Sequence, residues 1–329
     1  MWTKYVLPAA VILAFGAWMA LVLLFAPILP QTVRQPAATL AGLVAASALV
    51  GLVKRRFRIA LPAFALVVVV VAVGWIRLTP SHDERWIPEF AHLPVSNIDG
   101  DRVVIRNVRN FDWRSEDEFI ERWEERNYSL ERLERIDLIA SYWAGEDIAH
   151  LIVSFGFEGG EQIAASIETR RRVGQEYSAV AGFFRNYDLA YVLADERDVV
   201  RLRTNIRGER VYLYRLRAPR DVVRRVFVEY LQTVDEIARE PRFYNTLTTN
   251  CTTEIRLAGV GAGLTIPLDW RLLLTGHTPE YLYDRGSVDL RLPFDELRRQ
   301  SNIDTTARAA DVDPLFSIRI RESVPDPLR

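Results

Sequence analysis

Residues 150–170 read His-Leu-Ile-Val-Ser-Phe-Gly-Phe-Glu-Gly-Gly-Glu-Gln-Ile-Ala-Ala-Ser-Ile-Glu-Thr-Arg. Two largely apolar arms, 150–156 and 162–169, flank Glu158-Gly159-Gly160-Glu161, and paired glycines supply the backbone freedom of a tight reversal. The stretch is a β-hairpin. Its register has two solutions. A two-residue Gly159-Gly160 turn pairs His150 with Thr169 and puts Glu168 on the opposite face. A three-residue loop with a bulge sets Glu168 directly across from His150.

Strand patterns continue on both sides of the hairpin. Val103–Ile105 with Val108, residues 135–143 (Ile136, Leu138 and Ala140 on one face), 189–193 and 211–216 all read as strands. Ser115 followed by Glu118 has the spacing of a capping box, which predicts a helix to about Arg126 that buries Phe119, Ile120 and Trp123. Residues 180–187 form a candidate short helix. Pro219 opens the clearest one, with Val222, Val223, Val226, Phe227, Tyr230, Leu231, Val234 and Ile237 at three- and four-residue spacing. From about Ser287 the pattern weakens to loops and short elements. The class is α+β: a mainly antiparallel sheet with helices packed on one side.

The averages of the 329-residue chain conceal a division. It is 49% hydrophobic and 26% charged, with formal net charge −1 and mean hydropathy of zero. Yet residues 1–80 hold seven basic residues and no acid, while the remaining 249 hold 35 basic residues against all 43 acids, a net of −8. This excludes a single soluble globule and a disordered chain. The acidic soluble part also argues against nucleic acid as a partner. Apolar runs at about 5–26, 37–53 and 59–76 predict three transmembrane helices, each rising about 1.5 Å per residue across a hydrocarbon core of about 30 Å. The loop Lys54-Arg55-Arg56-Phe57-Arg58 belongs in the cytoplasm by its charge, and the loop 27–36 outside. The expected organisation is a membrane anchor (1–80), a linker (81–100) and an extracytoplasmic domain (101–329). In a bacterium this is a multi-pass inner-membrane protein with a cytoplasmic N-terminus and a periplasmic C-terminal domain.

Cys251 is the only thiol, which excludes an internal disulfide and a multi-cysteine zinc site. It follows the polar run Tyr244-Asn245-Thr246-Leu247-Thr248-Thr249-Asn250 and precedes a helical segment, with Asn250 or Thr249 as candidate N-cap. In a first helical turn, unpaired N–H groups and the positive dipole end favour thiolate and can help hold an oxyanion. The plainer alternative is a buried structural cysteine. A thiol nucleophile needs a base. His82 and His92 lie in the membrane-exit segment and His277 in a turn, whereas His150 begins an apolar strand, a rigid place for an imidazole. Glu168 is the candidate for orienting it, with Ser166, Thr169 or a backbone carbonyl as alternatives.

Several motifs together carry a resemblance: Asn-Val-Arg-Asn-Phe-Asp-Trp at 107–113, Ile-Ala-Ser-Tyr-Trp at 139–143, His150 with Val153–Phe157, Ser166–Arg170, Ala-Asp-Glu-Arg-Asp at 194–198, Tyr244-Asn245, and Asn250-Cys251-Thr252-Thr253. Over roughly residues 95–275 the chain resembles the bacterial Lnb N-terminal periplasmic domain family, which is similar to permuted papain-like (NlpC/P60-like) thiol enzymes in which His precedes Cys. The family's named member is a lipoprotein N-acyltransferase that works through a thioester on its own thiol. The resemblance implies Cys251 as nucleophile, His150 as base and Glu168 as third member. It implies substrate-positioning roles for Asn250, Thr252, Tyr244 and Asn245. No metal or other cofactor is required. The implied function is a membrane-anchored acyltransferase or hydrolase whose partner is a membrane lipid or lipoprotein. A cysteine peptidase or cell-wall amidase of the same fold, and a non-catalytic binding or assembly module, are the competing expectations.

Overall fold

The computed structural model describes residues 3–54 and 56–328; Arg55 of the basic loop lies outside the described residues. The chain forms two compact units. The first comprises residues 1–83, 174–188 and 242–246. Its helices α1 (Thr3–Phe25), α2 (Gln31–Val53) and α3 (Phe57–Ile76) follow from sequences with hardly a charge. Each is long and apolar enough to cross a membrane. Small residues let them approach closely: a methyl on Gly16 would lie 2.6 Å from the Ala45 Cβ, and Gly51 is pressed against Ala60. Their shared core includes Ile12, Met19, Val22, Ala45, Leu52, Phe64 and, from the inserted segment, Phe184.

The second unit comprises residues 84–173, 189–241 and 247–329. It is built on strands β1 (Val95–Asp99), β2 (Arg102–Arg109), β5 (Trp123–Ser129), β6 (Leu133–Tyr142), β7 (Ala149–Phe157), β8 (Gln162–Arg170), β9 (Asp188–Ala194) and β10 (Arg210–Arg215). The eight-stranded sheet has order β1-β2-β9-β8-β7-β6-β10, with β5 paired to β2. The pairs β1–β2, β2–β5, β6–β7, β7–β8 and β6–β10 are antiparallel, and β2 meets β9 in parallel. The segment expected as a linker carries the 3-10 turn Pro88–Phe90 and edge strand β1, and Phe90 is buried in the sheet core.

The helix expected after Ser115 is replaced by strands. The Ser115 hydroxyl accepts from the Glu118 N–H at 3.0 Å, as a cap would. However, the Arg114 and Ser115 N–H groups both donate back to the Glu118 carbonyl, which closes a reversal between β3 (Asp112–Trp113) and β4 (Phe119–Ile120). The same side-chain chemistry serves turns and helix starts. Here Phe119 and Trp123 join Phe111 and Trp113 in an aromatic cluster, while β5 pairs along β2.

Among the described residues the helices of this unit are α4 (Glu196–Arg201), α5 (Arg220–Arg239), α6 (Cys251–Gly261), α7 (Thr278–Asp284), α8 (Phe294–Ser301), α9 (Asp304–Ala309) and α10 (Phe316–Arg319). They cover both faces of the sheet, not one. Phe155 and Phe157 meet Phe227 of α5 on one face. On the other, Ile139, Ile152 and Leu213 pack with Ile303, Ala307, Phe316 and Ile320. The weakly patterned tail therefore closes half of the core, because its apolar residues are spread over short helices that each show too few turns for a period to emerge. Arg321 fastens the tail: its guanidinium lies 2.8 Å from Asp137 of β6 and 2.5 Å from Glu196 of α4, all three being buried.

Candidate active site

The β7–β8 hairpin adopts the three-residue solution. Phe157 donates to the Glu161 carbonyl, leaving 158–160 as the loop, with Gly159 and Gly160 at φ 93° and 90°. Pairs such as Ser154 with Ala164 and Ile152 with Ser166 follow. Continuing this register brings Glu168 opposite His150, and the side chains meet: His150 Nε2 lies 3.1 Å from Glu168 Oε1. The Ser166 hydroxyl lies between them, 2.7 Å from His150 Nε2 and 2.7 Å from Glu168 Oε1. With Nε2 so engaged, Nδ1 is the ring nitrogen left for a further partner.

Cys251, at the first position of α6, is a further group acting on the imidazole. Asn250 is the N-cap and closes a reciprocal box: its side-chain oxygen accepts from the Thr253 N–H at 3.0 Å, and its own N–H donates to the Thr253 hydroxyl at 2.8 Å. This box fixes the helix start without using the Cys251 and Thr252 N–H groups. The thiol is 7% exposed. His150, the Leu151 N–H and Thr252 all act to lower its pKa, and the Thr252 hydroxyl oxygen is 4.0 Å from the sulfur.

Electrostatics act on the three groups together. Burial pushes the Cys251 thiol up, but the hydrogen bond and charge of His150, the Leu151 N–H and Thr252 outweigh it and hold the thiol below its ordinary 9.0. Burial and the Arg203 guanidinium work against a charged imidazole, yet Glu168 and Cys251 leave His150 above its ordinary 6.5. Burial likewise opposes the charge on Glu168, while His150, Arg203 and Ser166 hold its carboxyl well below 4.5. Each shift favours the charged form of its group.

Of the other expected site residues, Thr252 is buried beside the sulfur and Asn250 caps the helix. Tyr244 and Asn245 belong to the first unit, where the Tyr244 N–H donates to the Tyr187 carbonyl at 3.0 Å. His277 is engaged elsewhere, 2.9 Å from Asp147 and against Trp270.

Two participants escaped the sequence reading. Arg203, in the π-turn Leu202–Ile206, lies 3.4 Å from Glu168 and 3.1 Å from Glu209, whose carboxylate also accepts from Ser141. Arginine in a mixed-charge chain carries no local signal of such a role. Tyr230 of α5 has a buried hydroxyl with no hydrogen-bond partner among the described residues, and its pKa is pushed well above 10 by burial, Glu254 and Cys251. Its place in a helical apolar period concealed it.

Among the described residues no group of His, Cys, Asp and Glu is arranged to hold a metal ion. No curated protein and no solved structure matches the chain significantly. The family model for the Lnb N-terminal periplasmic domain matches residues 119–276, a span that contains His150, Glu168 and Cys251. Residues 119–276 thus match the Lnb N-terminal periplasmic domain family, in a chain with three helices long and apolar enough to cross a membrane.

Proposed function

We propose that this protein is a membrane-anchored, cysteine-dependent acyltransferase or hydrolase acting on a lipid or lipoprotein from the periplasmic face of a bacterial inner membrane. The observation that carries the reading is the line Cys251–His150–Glu168 from α6, β7 and β8: His150 lies 3.1 Å from Glu168, and His150 and Cys251 act on each other electrostatically. A buried structural cysteine has no need of a paired imidazole and carboxylate.

In the proposed reaction His150 accepts the thiol proton and the Cys251 thiolate attacks an ester carbonyl. The oxyanion is held by the N–H groups at the start of α6. Collapse of the intermediate expels an alkoxide that takes the proton back from His150, leaving an acyl-thioester. An amine then attacks, His150 takes its proton, and an amide and the free thiol result; with water as acceptor the product is a carboxylic acid. Glu168 keeps Nδ1 turned toward sulfur by engaging Nε2. Asn250 and Thr252 fix the turn that presents the thiol.

Incubation with acyl-donor phospholipid tests the proposal. The intact protein should gain one acyl mass, removable by neutral hydroxylamine and absent from Cys251→Ser. Failure of the wild type to acylate with any phospholipid or lipoprotein donor, alongside cleavage of peptidoglycan peptides, would transfer the site to the amidase class. For orientation, a periplasm-dependent reporter fused after residue 80 should be active, and a cytoplasm-dependent one silent.

A further inference from the structure

Residues 174–188 lie between β8 and β9 in sequence but group with α1–α3. Two contacts set their depth. Phe184 is buried in the apolar core of the three helices, its ring stacked 6.0 Å from that of Phe25, the last residue of α1. Arg185 sends its guanidinium to the carbonyls of Trp75 and Ile76, at 3.2 and 3.0 Å, and lies over the Trp75 ring at 4.8 Å. These carbonyls belong to the last turn of α3, where backbone acceptors lack helical partners. The segment therefore sits at the two helix ends that share one face of the bilayer.

Beside these anchors, Tyr177, Val180 and Phe183 remain 50%, 46% and 42% exposed. The polar groups around them are tied internally. Thr246 donates to the Ala179 carbonyl at 2.7 Å, the Ser178 N–H donates to the Tyr187 hydroxyl, and that hydroxyl donates to the Glu176 carbonyl. The charges of the segment are Glu176, Arg185 and Asp188, a net of −1. On the helices of the same unit, Leu13, Phe15, Leu21, Leu66 and Val69 are also exposed.

We infer that residues 177–184 lie in the interfacial zone of the bilayer, with Val180 and Phe183 inserted among the lipid chains beside the ends of α1 and α3. The occupant of this patch is lipid, because Phe184 and Arg185 fix it beside the ends of α1 and α3, helices long and apolar enough to cross a membrane. Insertion is apolar, since the segment has no excess of positive charge to draw it to anionic headgroups.

The test uses the full chain in phosphatidylcholine nanodiscs, in a Cys251→Ser background. Val180→Cys and Phe183→Cys each carry an environment-sensitive fluorophore, with Leu66→Cys as lipid reference and Gln232→Cys as aqueous reference. Labels at 180 and 183 should show blue-shifted emission, quenching by lipids with a nitroxide near the headgroup, and loss of iodide quenching relative to 232. These readings should not change with added phosphatidylglycerol or high salt. Iodide quenching equal to that at 232 with no nitroxide effect would place the segment in water and overturn the inference. Quenching by nitroxide lipid only when phosphatidylglycerol is present would overturn it too, in favour of a headgroup contact.

Discussion

His150 and Glu168 face each other across one hairpin, Nε2 3.1 Å from Oε1, with the Ser166 hydroxyl within 2.7 Å of both. The pairing is local in sequence and depends on a single loop length. It gives the imidazole a fixed orientation before any other element of the domain contributes.

Glu168→Gln should lower kcat/KM by on the order of 10²-fold, the scale of a general acid–base contribution. It should also change the acid stability with a defined sign. The native carboxyl is held well below 4.5, so its contribution is fully present above that value and is lost as pH falls through the folded pKa. Urea unfolding should therefore show the variant less stable at pH 7, with the gap closing in acid. A gap that widens in acid would refute this.

The thiol should alkylate with a pH midpoint below 9.0, the ordinary value, because His150 and the Leu151 N–H favour thiolate. In His150→Ala the burial remains while the principal stabilising partner is gone, so the midpoint should rise. Iodoacetamide rates across pH 5–10 measure both. Coincident profiles would show that His150 does not act on the sulfur.

Gly160→Ala probes the hairpin loop. At φ 90° a side chain is strained, at a cost of about 1–3 kcal/mol. The added Cβ would also lie 2.9 Å from Ile318 Cδ1. Thermal unfolding should fall accordingly, and activity should fall further than stability because Glu168 depends on that register.

Arg203→Met removes a cation held against Glu168 and Glu209, with Arg203 and Glu209 side chains each only 9% exposed. Leaving a buried carboxylate without its partner costs about 3–5 kcal/mol. The double variant Arg203→Met with Glu209→Gln should recover part of this loss in denaturant titrations. Purely additive losses would mean the pair is not coupled.

Much of the scaffold around these residues was legible because it rests on short-range chemistry. The glycine pair announces a hairpin, Asn250 announces a helix start, and the charge-free runs announce the spans. The hairpin register was not legible: two- and three-residue loops around Gly159-Gly160 differ by one residue, and tertiary packing selects between them. Arg203 was hidden because it reaches Glu168 from 35 residues away, through a turn that no periodicity marks. The Ser115–Glu118 box misled because it caps a reversal, and the aromatic cluster with Phe111 and Trp113 decides the outcome. The grouping of residues 174–188 with the helices was invisible for a similar reason, since Phe184 and Arg185 resemble any loop residues until their partners are known.

The clasp made by Arg321 bears on how the protein is made. Asp137 and Glu196 are committed to the interior of the domain, yet the cation that answers them lies 184 and 125 residues downstream. A nascent chain that has emerged only as far as α6 already contains the thiol, the imidazole and the carboxylate, but holds two acids that cannot be buried without penalty. Maturation of the domain therefore awaits synthesis of residue 321, so a chain stalled short of that point would carry the reactive groups without the closed interior that tunes them.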